Sequence, residues 1–223
     1  MVEVMRSDNF VLIIAWYMLS SSLTIRSGKM AKTSGGLTSE GAPTGSKSAK
    51  SVEMPQVVAN YLSAVQSGSY QKLSRASKVK MIEKVKKELS TPSDLPQNFT
   101  SKEADYLDIY ASSKYQKING ELRSGKLSAE TKKIVSRIDA IMDKNVLKKD
   151  IIVYRGTNGS YSSKDKAYTS TSVDVLTASN FARGEAKLHA YRIPKGTKCV
   201  YIGGGEKELL LPRDFDLKKH KIK

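Results

Sequence analysis

The spacing of apolar residues changes once along this chain, near Lys149, and that change limits the folds open to it. Upstream the period is helical: Val57, Val58, Tyr61, Leu62 and Val65 form one stripe, and Met81, Ile82, Val85 and Leu89 a second that stops near Pro92. Thr100-Ser101-Lys102-Glu103 has the form of a capping box and predicts a helix through Tyr106, Leu107, Ile109 and Tyr110. A helix through Ile118 and Leu122 follows, then, past Gly125 and Ser128, one carrying Ile134, Val135, Ile138, Ile141 and Met142. Downstream the pattern is β-rich. Residues 151–154, 167–172, 187–193, 197–202 and 208–211 read as strands, residues 176–183 as a short helix, and the basic tail as a further strand. Helices followed by strands imply an α+β fold with an antiparallel or mixed sheet. Without βαβ units, GxGxxG or GxxxxGK[ST], a doubly wound nucleotide fold is disfavoured.

Residues 1–50 differ from the rest. The apolar run at 10–19 is too short for a bilayer-spanning helix, but it has the length of a secretory signal's apolar region, and Ser20, Ser21 and Ser22 offer small residues for cleavage. Against this, Glu3, Arg6 and Asp8 leave the preceding stretch without clear positive charge, and a start at Met30 would remove the run. The reading adopted is a leader or export segment, a Ser, Gly, Thr and Lys linker, and a folded domain over 51–223.

Lys and Arg number 38 against 22 acidic residues, a net charge of +16 that favours nucleic acid, anionic lipid or acidic protein surfaces as partners. The lysines fall on predicted helix faces (Lys78, Lys80, Lys84, Lys86, Lys87) and in the tail, without interleaved aromatics, so a solvated basic face is expected. Cys199 is single and lies in an apolar strand pattern, which excludes an internal disulfide and reads as buried packing. His189 and His220 are too few for a metal-ligand cluster.

The chemistry-bearing stretch is Gly203-Gly204-Gly205-Glu206-Lys207-Glu208, running into Leu209-Leu210-Leu211-Pro212. Residues two apart on a strand share a face, so Glu206 and Glu208 are expected to project together from a glycine-rich loop. Taken alone, Glu-Lys-Glu is more often a solvated strand edge. Two other pieces precede it in order, Val153-Tyr154-Arg155-Gly156 and Thr169-Ser170-Thr171-Ser172. The three together resemble the R-S-E class of mono-ADP-ribosyltransferases, which holds the C3-like and binary-toxin enzymes and related phage enzymes. Tyr110, Tyr115, Asn119, Leu122 and Arg123 resemble that family's helix over the NAD pocket. Phe181 falls where relatives carry an aromatic beside the nicotinamide, and the likeness covers roughly residues 98–212.

The resemblance implies a split, mostly antiparallel β-core with NAD, consumed as a substrate, in its cleft, and no metal. Arg155, with Gly156 beside it, would grip the pyrophosphate; Tyr110, Tyr115, Asn119, Thr171, Ser172 and Phe181 would complete the NAD pocket. Glu208 would stabilise the oxocarbenium-like ribose and Ser170 would fix Glu208. Glu206 would take the proton from an incoming guanidinium, since relatives with Glu at this position modify arginine.

The expected protein is thus a monomeric, secreted, arginine-specific toxin or effector with side NAD glycohydrolase activity, aimed at a protein such as actin. The glycine loop lacks the aromatic with which relatives contact their targets, and no receptor-binding or translocation segment is expected. The alternatives are a phage enzyme acting in the bacterial cytoplasm, and a non-catalytic basic nucleic-acid-binding module. The basic surface also leaves open nucleic acid as an acceptor, and no stable membrane insertion is expected.

Overall fold

A computed structural model describes residues 52–157, 165–182 and 187–222. The apolar run at 10–19 and the linker lie outside the described residues, so the export reading rests on sequence. Among the described residues no helix is long and apolar enough to cross a membrane.

The helices come first. They are α1 (Gln56–Gln66), α2 (Ser69–Lys72), α3 (Arg75–Glu88), α4 (Ser101–Ile109), α5 (Tyr115–Ser124) and α6 (Ala129–Asp143). Their ends follow from local chemistry. Thr100 Oγ1 accepts from the Glu103 amide at 3.4 Å while Glu103 Oε2 accepts from the Thr100 amide at 2.8 Å, closing the capping box ahead of α4. Gly125, with φ of 73°, ends α5, and the Ser128 hydroxyl caps α6. Between α4 and α5 a π-helical turn spans Tyr110–Lys114, broken by the extended Ser112 (ψ −173°).

Five strands follow: β1 (Ile151–Gly156), β2 (Thr169–Ser172), β3 (Leu188–Ile193), β4 (Val200–Gly203) and β5 (Glu208–Leu211), with the short α7 (Val175–Ser179) between β2 and β3. All pairings are antiparallel, in the order β3-β1-β2-β5-β4, which gives an α+β fold with one continuous sheet among the described residues. The basic tail does not add a strand. After Pro212 the chain turns at Asp214 (φ 60°) and forms a 3-10 turn, Leu217–His220, which meets the sheet through buried Leu217, the bridge Tyr191–Lys221 and the Ile222 amide on the Ala190 carbonyl at 2.9 Å.

The register places Tyr154 opposite Ser172, and Ser172 opposite Glu208. Directly paired residues share a face, and so do residues two apart on one strand. Ser170, Ser172, Glu208 and Leu210 therefore belong to one face of the sheet. Two helical groups cover that face. Val58, Tyr61 and Val85 of α1 and α3 and Val175 and Ala178 of α7 pack on Tyr154, Leu188 and Ala190 of β1 and β3. Leu107, Ile118, Ile138 and Ile141 of α4 to α6 pack with Tyr168, Val200 and Leu210. Where the two groups part, over β2 and the start of β5, the sheet presents serines and a carboxylate in place of aliphatic side chains. The opposite face is apolar, with Ile151, Val153, Tyr191, Leu209 and Leu211 packed around Cys199, whose thiol burial pushes up to about 12.

At the end of β1, Gly156 meets the last turn of α7. A Cβ there would lie 2.1 Å from the Ala178 carbonyl oxygen and 2.6 Å from the Ala182 nitrogen, both backbone atoms. Packing thus demands glycine here whatever Gly156 does for a ligand. Gly156→Ala is expected to lower stability by about 1–3 kcal/mol, read as a shift in urea midpoint at unchanged slope. An unmoved midpoint would show that α7 is free to retreat from β1.

Candidate functional site

Arg155, Ser170 and Glu208 come from three strands that lie side by side in the middle of the sheet, β1, β2 and β5. An Arg155 Nη1 hydrogen donates to the Ser170 carbonyl oxygen, which joins the arginine to the serine strand. The Ser170 side chain lies beside Glu208 and acts to lower its carboxyl. Thr171, whose hydroxyl donates to the Leu209 carbonyl at 2.7 Å, staples β2 to β5 on the buried side. These three sequence-predicted residues therefore form one connected group.

Glu208 is 7% exposed. Burial raises its carboxyl to about 7, and the Glu206 charge adds to that rise, while the Ser170 side chain and the Arg155 charge oppose it. A buried carboxylate near neutrality, flanked by a cation and a hydroxyl, is suited to glycosidic cleavage through an oxocarbenium-like state.

Glu206 reaches this group by a different route from the one its spacing suggests. Strand β5 begins at Glu208, and Glu206 sits in the turn over residues 204–207; Gly203 just before it and Gly204 and Lys207 within it have φ of 77°, 65° and 47°. Strand alternation therefore does not set its direction. The turn is instead fastened to the end of β2: the Ser172 hydroxyl donates to the Glu206 carbonyl at 2.8 Å, the Val173 amide donates to the Lys207 carbonyl at 3.2 Å, and Lys207 Nζ pairs with Asp174 Oδ2 at 2.6 Å. Although Glu206 is exposed, the surrounding protein desolvates it enough to raise its carboxyl.

Tyr110 and Asn119 also belong to the group. Asn119 Nδ2 donates to the Tyr110 hydroxyl at 2.9 Å, and the Ser170 side chain lies beside that hydroxyl. Burial, then the Glu208 charge, pushes the Tyr110 phenol up, so it stays protonated at neutral pH. The Asn119 carbonyl oxygen is buried without a hydrogen-bond partner among the described residues. Tyr115 and Phe181, in contrast, are exposed at 41% and 48% and are not drawn into this cluster.

Sequence reasoning missed Tyr168 and Asp174. The Tyr168 ring stands edge-on to Tyr110 at 5.5 Å, and its hydroxyl is 2.6 Å from Asp139 Oδ1, which Arg213 clamps from beyond β5. Asp174 caps α7 through Leu176 N at 2.8 Å as well as holding Lys207. The signal for Asp174 was available, an Asp directly ahead of a short apolar helix; for Tyr168 there was none. Among the described residues no group of His, Cys, Asp and Glu could hold a metal ion.

The family profile described as ADP-ribosyltransferase exoenzyme matches residues 75–164 and 160–223. The chain belongs to the ADP-ribosyltransferase exoenzyme family. Its structure is similar to exoenzyme S from Pseudomonas aeruginosa, seen in complex with human 14-3-3 protein beta and bound to Carba-NAD (23% identity, TM-score 0.45, 50% of this chain and 62% of that one). It is similar also to the Clostridium limosum C3 exoenzyme (24%, 0.42, 52% and 75%). A third similar structure is Plx2a, an ADP-ribosyltransferase toxin from Paenibacillus larvae (20%, 0.41, 71% and 83%). The chain thus spans 62% of the exoenzyme S chain it matches. No curated protein matches it in sequence.

The Glu208 environment has a consequence for stability. Unfolding returns its carboxyl from about 7 to 4.5, so between those values the folded state holds more protons than the unfolded one. Stability from this group is full below pH 4.5 and is lost as pH rises to about 7. Glu208→Gln should therefore be about 3 kcal/mol more stable than the parent at pH 8 and nearly equal to it at pH 4. Urea titrations at the two pH values measure this, and a pH-independent difference would contradict the raised pKa.

Proposed function

We propose that this protein cleaves NAD and transfers ADP-ribose to an arginine side chain of a target protein, as an exoenzyme toxin or effector. The observation that carries the reading is the connected group Arg155, Ser170 and Glu208 at the interval between the two helical groups, with Glu206 fastened beside it. The residues present fit the substrate. Arg155 offers a planar cation for the pyrophosphate. Tyr110 and Asn119 form a wall of phenol and amide next to Ser170, and the unsatisfied Asn119 oxygen is an acceptor for a ligand N–H.

In this reading the bond between ribose C1′ and the nicotinamide nitrogen breaks, and its electron pair leaves with nicotinamide, which becomes neutral. Positive charge develops on C1′ and the ring oxygen. Ionised Glu208, held by Ser170, stabilises that charge; groups of this kind contribute about 3–4 kcal/mol to a barrier. A guanidinium nitrogen of the acceptor then bonds to C1′. Guanidinium is a poor nucleophile unless a proton is removed as it attacks, and Glu206 takes that proton. Water in place of arginine gives NAD hydrolysis by the same first step.

Labelled NAD, poly-arginine and a host-cell lysate test this with the full chain. The parent should label both acceptors. Glu208→Gln should lose transfer and nicotinamide release together, by roughly a hundred- to a thousandfold. Glu206→Gln should lose transfer and keep residual nicotinamide release. Folded parent protein with neither activity would overturn the reading and return attention to the basic surface. Because Glu208 acts ionised, nicotinamide release should rise with pH through about 7.

A further inference from the structure

We propose that the ion pair between Lys207 and Asp174 is the positioning device for Glu206, and that it sets how much cleaved NAD ends on arginine rather than on water. The inference rests on the reading of Glu206 as the acceptor's base.

Glu206 stands in a turn with little stiffness of its own. Gly203 and Gly204 supply two left-handed positions, and Gly205 follows them. Lys207 then takes φ of 47°, a conformation that a side-chain-bearing residue adopts only where its surroundings hold it there. Its surroundings supply three restraints. The Lys207 amide donates to the Gly204 carbonyl at 3.2 Å, its own carbonyl accepts from Val173, and its ammonium reaches Asp174 at 2.6 Å.

Asp174 is a fixed post for that ammonium. Its side chain is 12% exposed, and its other carboxylate oxygen accepts from the Leu176 and Thr177 amides at 2.8 and 3.3 Å, capping α7. Its amide donates to the Ser172 hydroxyl at 3.1 Å, the same hydroxyl that donates to the Glu206 carbonyl. The turn is therefore tied to residues 172–174, directly after the serine strand. A half-buried pair on such a post is less screened than a surface ion pair and has lost less side-chain freedom to the contact.

Glu208 does not depend on this arrangement. It lies in β5, paired with Ser172 and beside Ser170. Releasing Lys207 would leave the C1′–nicotinamide bond breaking as before, with water taking C1′ and its proton going to solvent. What would be lost is the placement of Glu206 against the incoming guanidinium, whose proton it must receive as the new nitrogen–C1′ bond forms. The middle residue of Glu-Lys-Glu is thus a specificity determinant through its side chain, pointing to α7 and away from the reaction.

The test uses Lys207→Gln, Asp174→Asn, the double variant and Lys207→Arg, with labelled NAD and poly-arginine. Asp174→Asn keeps an oxygen to cap α7 while removing the charge. The ratio of arginine labelling to nicotinamide release should fall roughly ten- to a hundredfold in both single variants, the effect expected of a misplaced catalytic group. The double variant should be no worse than either single one, since one interaction is removed in all three. Lys207→Arg should restore most of the ratio, and nicotinamide release without acceptor should stay within about twofold throughout. An unchanged ratio, or both activities falling in proportion, overturns the proposal. Parent protein that releases nicotinamide but labels no arginine overturns the underlying function and this inference with it.

Discussion

A carboxylate enclosed in the middle of a β-sheet is the constraint on which the rest of this site depends. Glu208 opens β5 on a face that is aliphatic on either side of it, and the charged form is disfavoured there unless neighbours compensate. Ser170 and Arg155 compensate in part, Glu206 works against them, and the balance leaves the group close to neutrality in its titration. Full compensation would keep the carboxylate ionised well below neutral pH. None would give a protonated one with nothing to offer a cationic ribose.

The helices matter to the site chiefly through the gap between them. Two packing groups cover one sheet face without meeting over β2, and the polar residues occupy the interval. On one side the wall is Tyr110, supported by Tyr168 and through it by Asp139 and Arg213. On the other it is α7, whose first turn is capped by Asp174 and whose last presses on Gly156. Each wall is itself braced by a buried polar contact, so the interval is defined by fixed elements.

Much of this was legible in the sequence because the signals are local. The Thr100–Glu103 box, the apolar stripes of α1, α3 and α6, and strand β5 at 208–211 are all found where the residues predict them. Arg155, Ser170 and Glu208, picked out by three motifs in order, lie on adjacent strands. What the sequence could not supply was contact between distant parts. Nothing local places β2 between β1 and β5, or says that Lys207 bends out of the strand so that alternation fails for Glu206. Pattern alone extended the tail into a strand, whereas Pro212 and the left-handed Asp214 turn it aside. Tyr115 and Phe181 carry a family likeness, but both stand exposed, outside the group that Tyr110 and Asn119 join.

The strand order also bears on how the molecule comes to be folded. Among the described residues only β4 and β5 form a local hairpin, closed by the turn over residues 204–207. The pairings β1–β3, β1–β2 and β2–β5 each join segments separated by long stretches of chain, and non-local pairing slows folding because loop entropy is lost before contacts reward it. The glutamate turn can therefore form early and idle, while the arginine and serine strands reach it only when the sheet closes. In this topology Arg155, Ser170 and Glu208 come together only as the sheet closes.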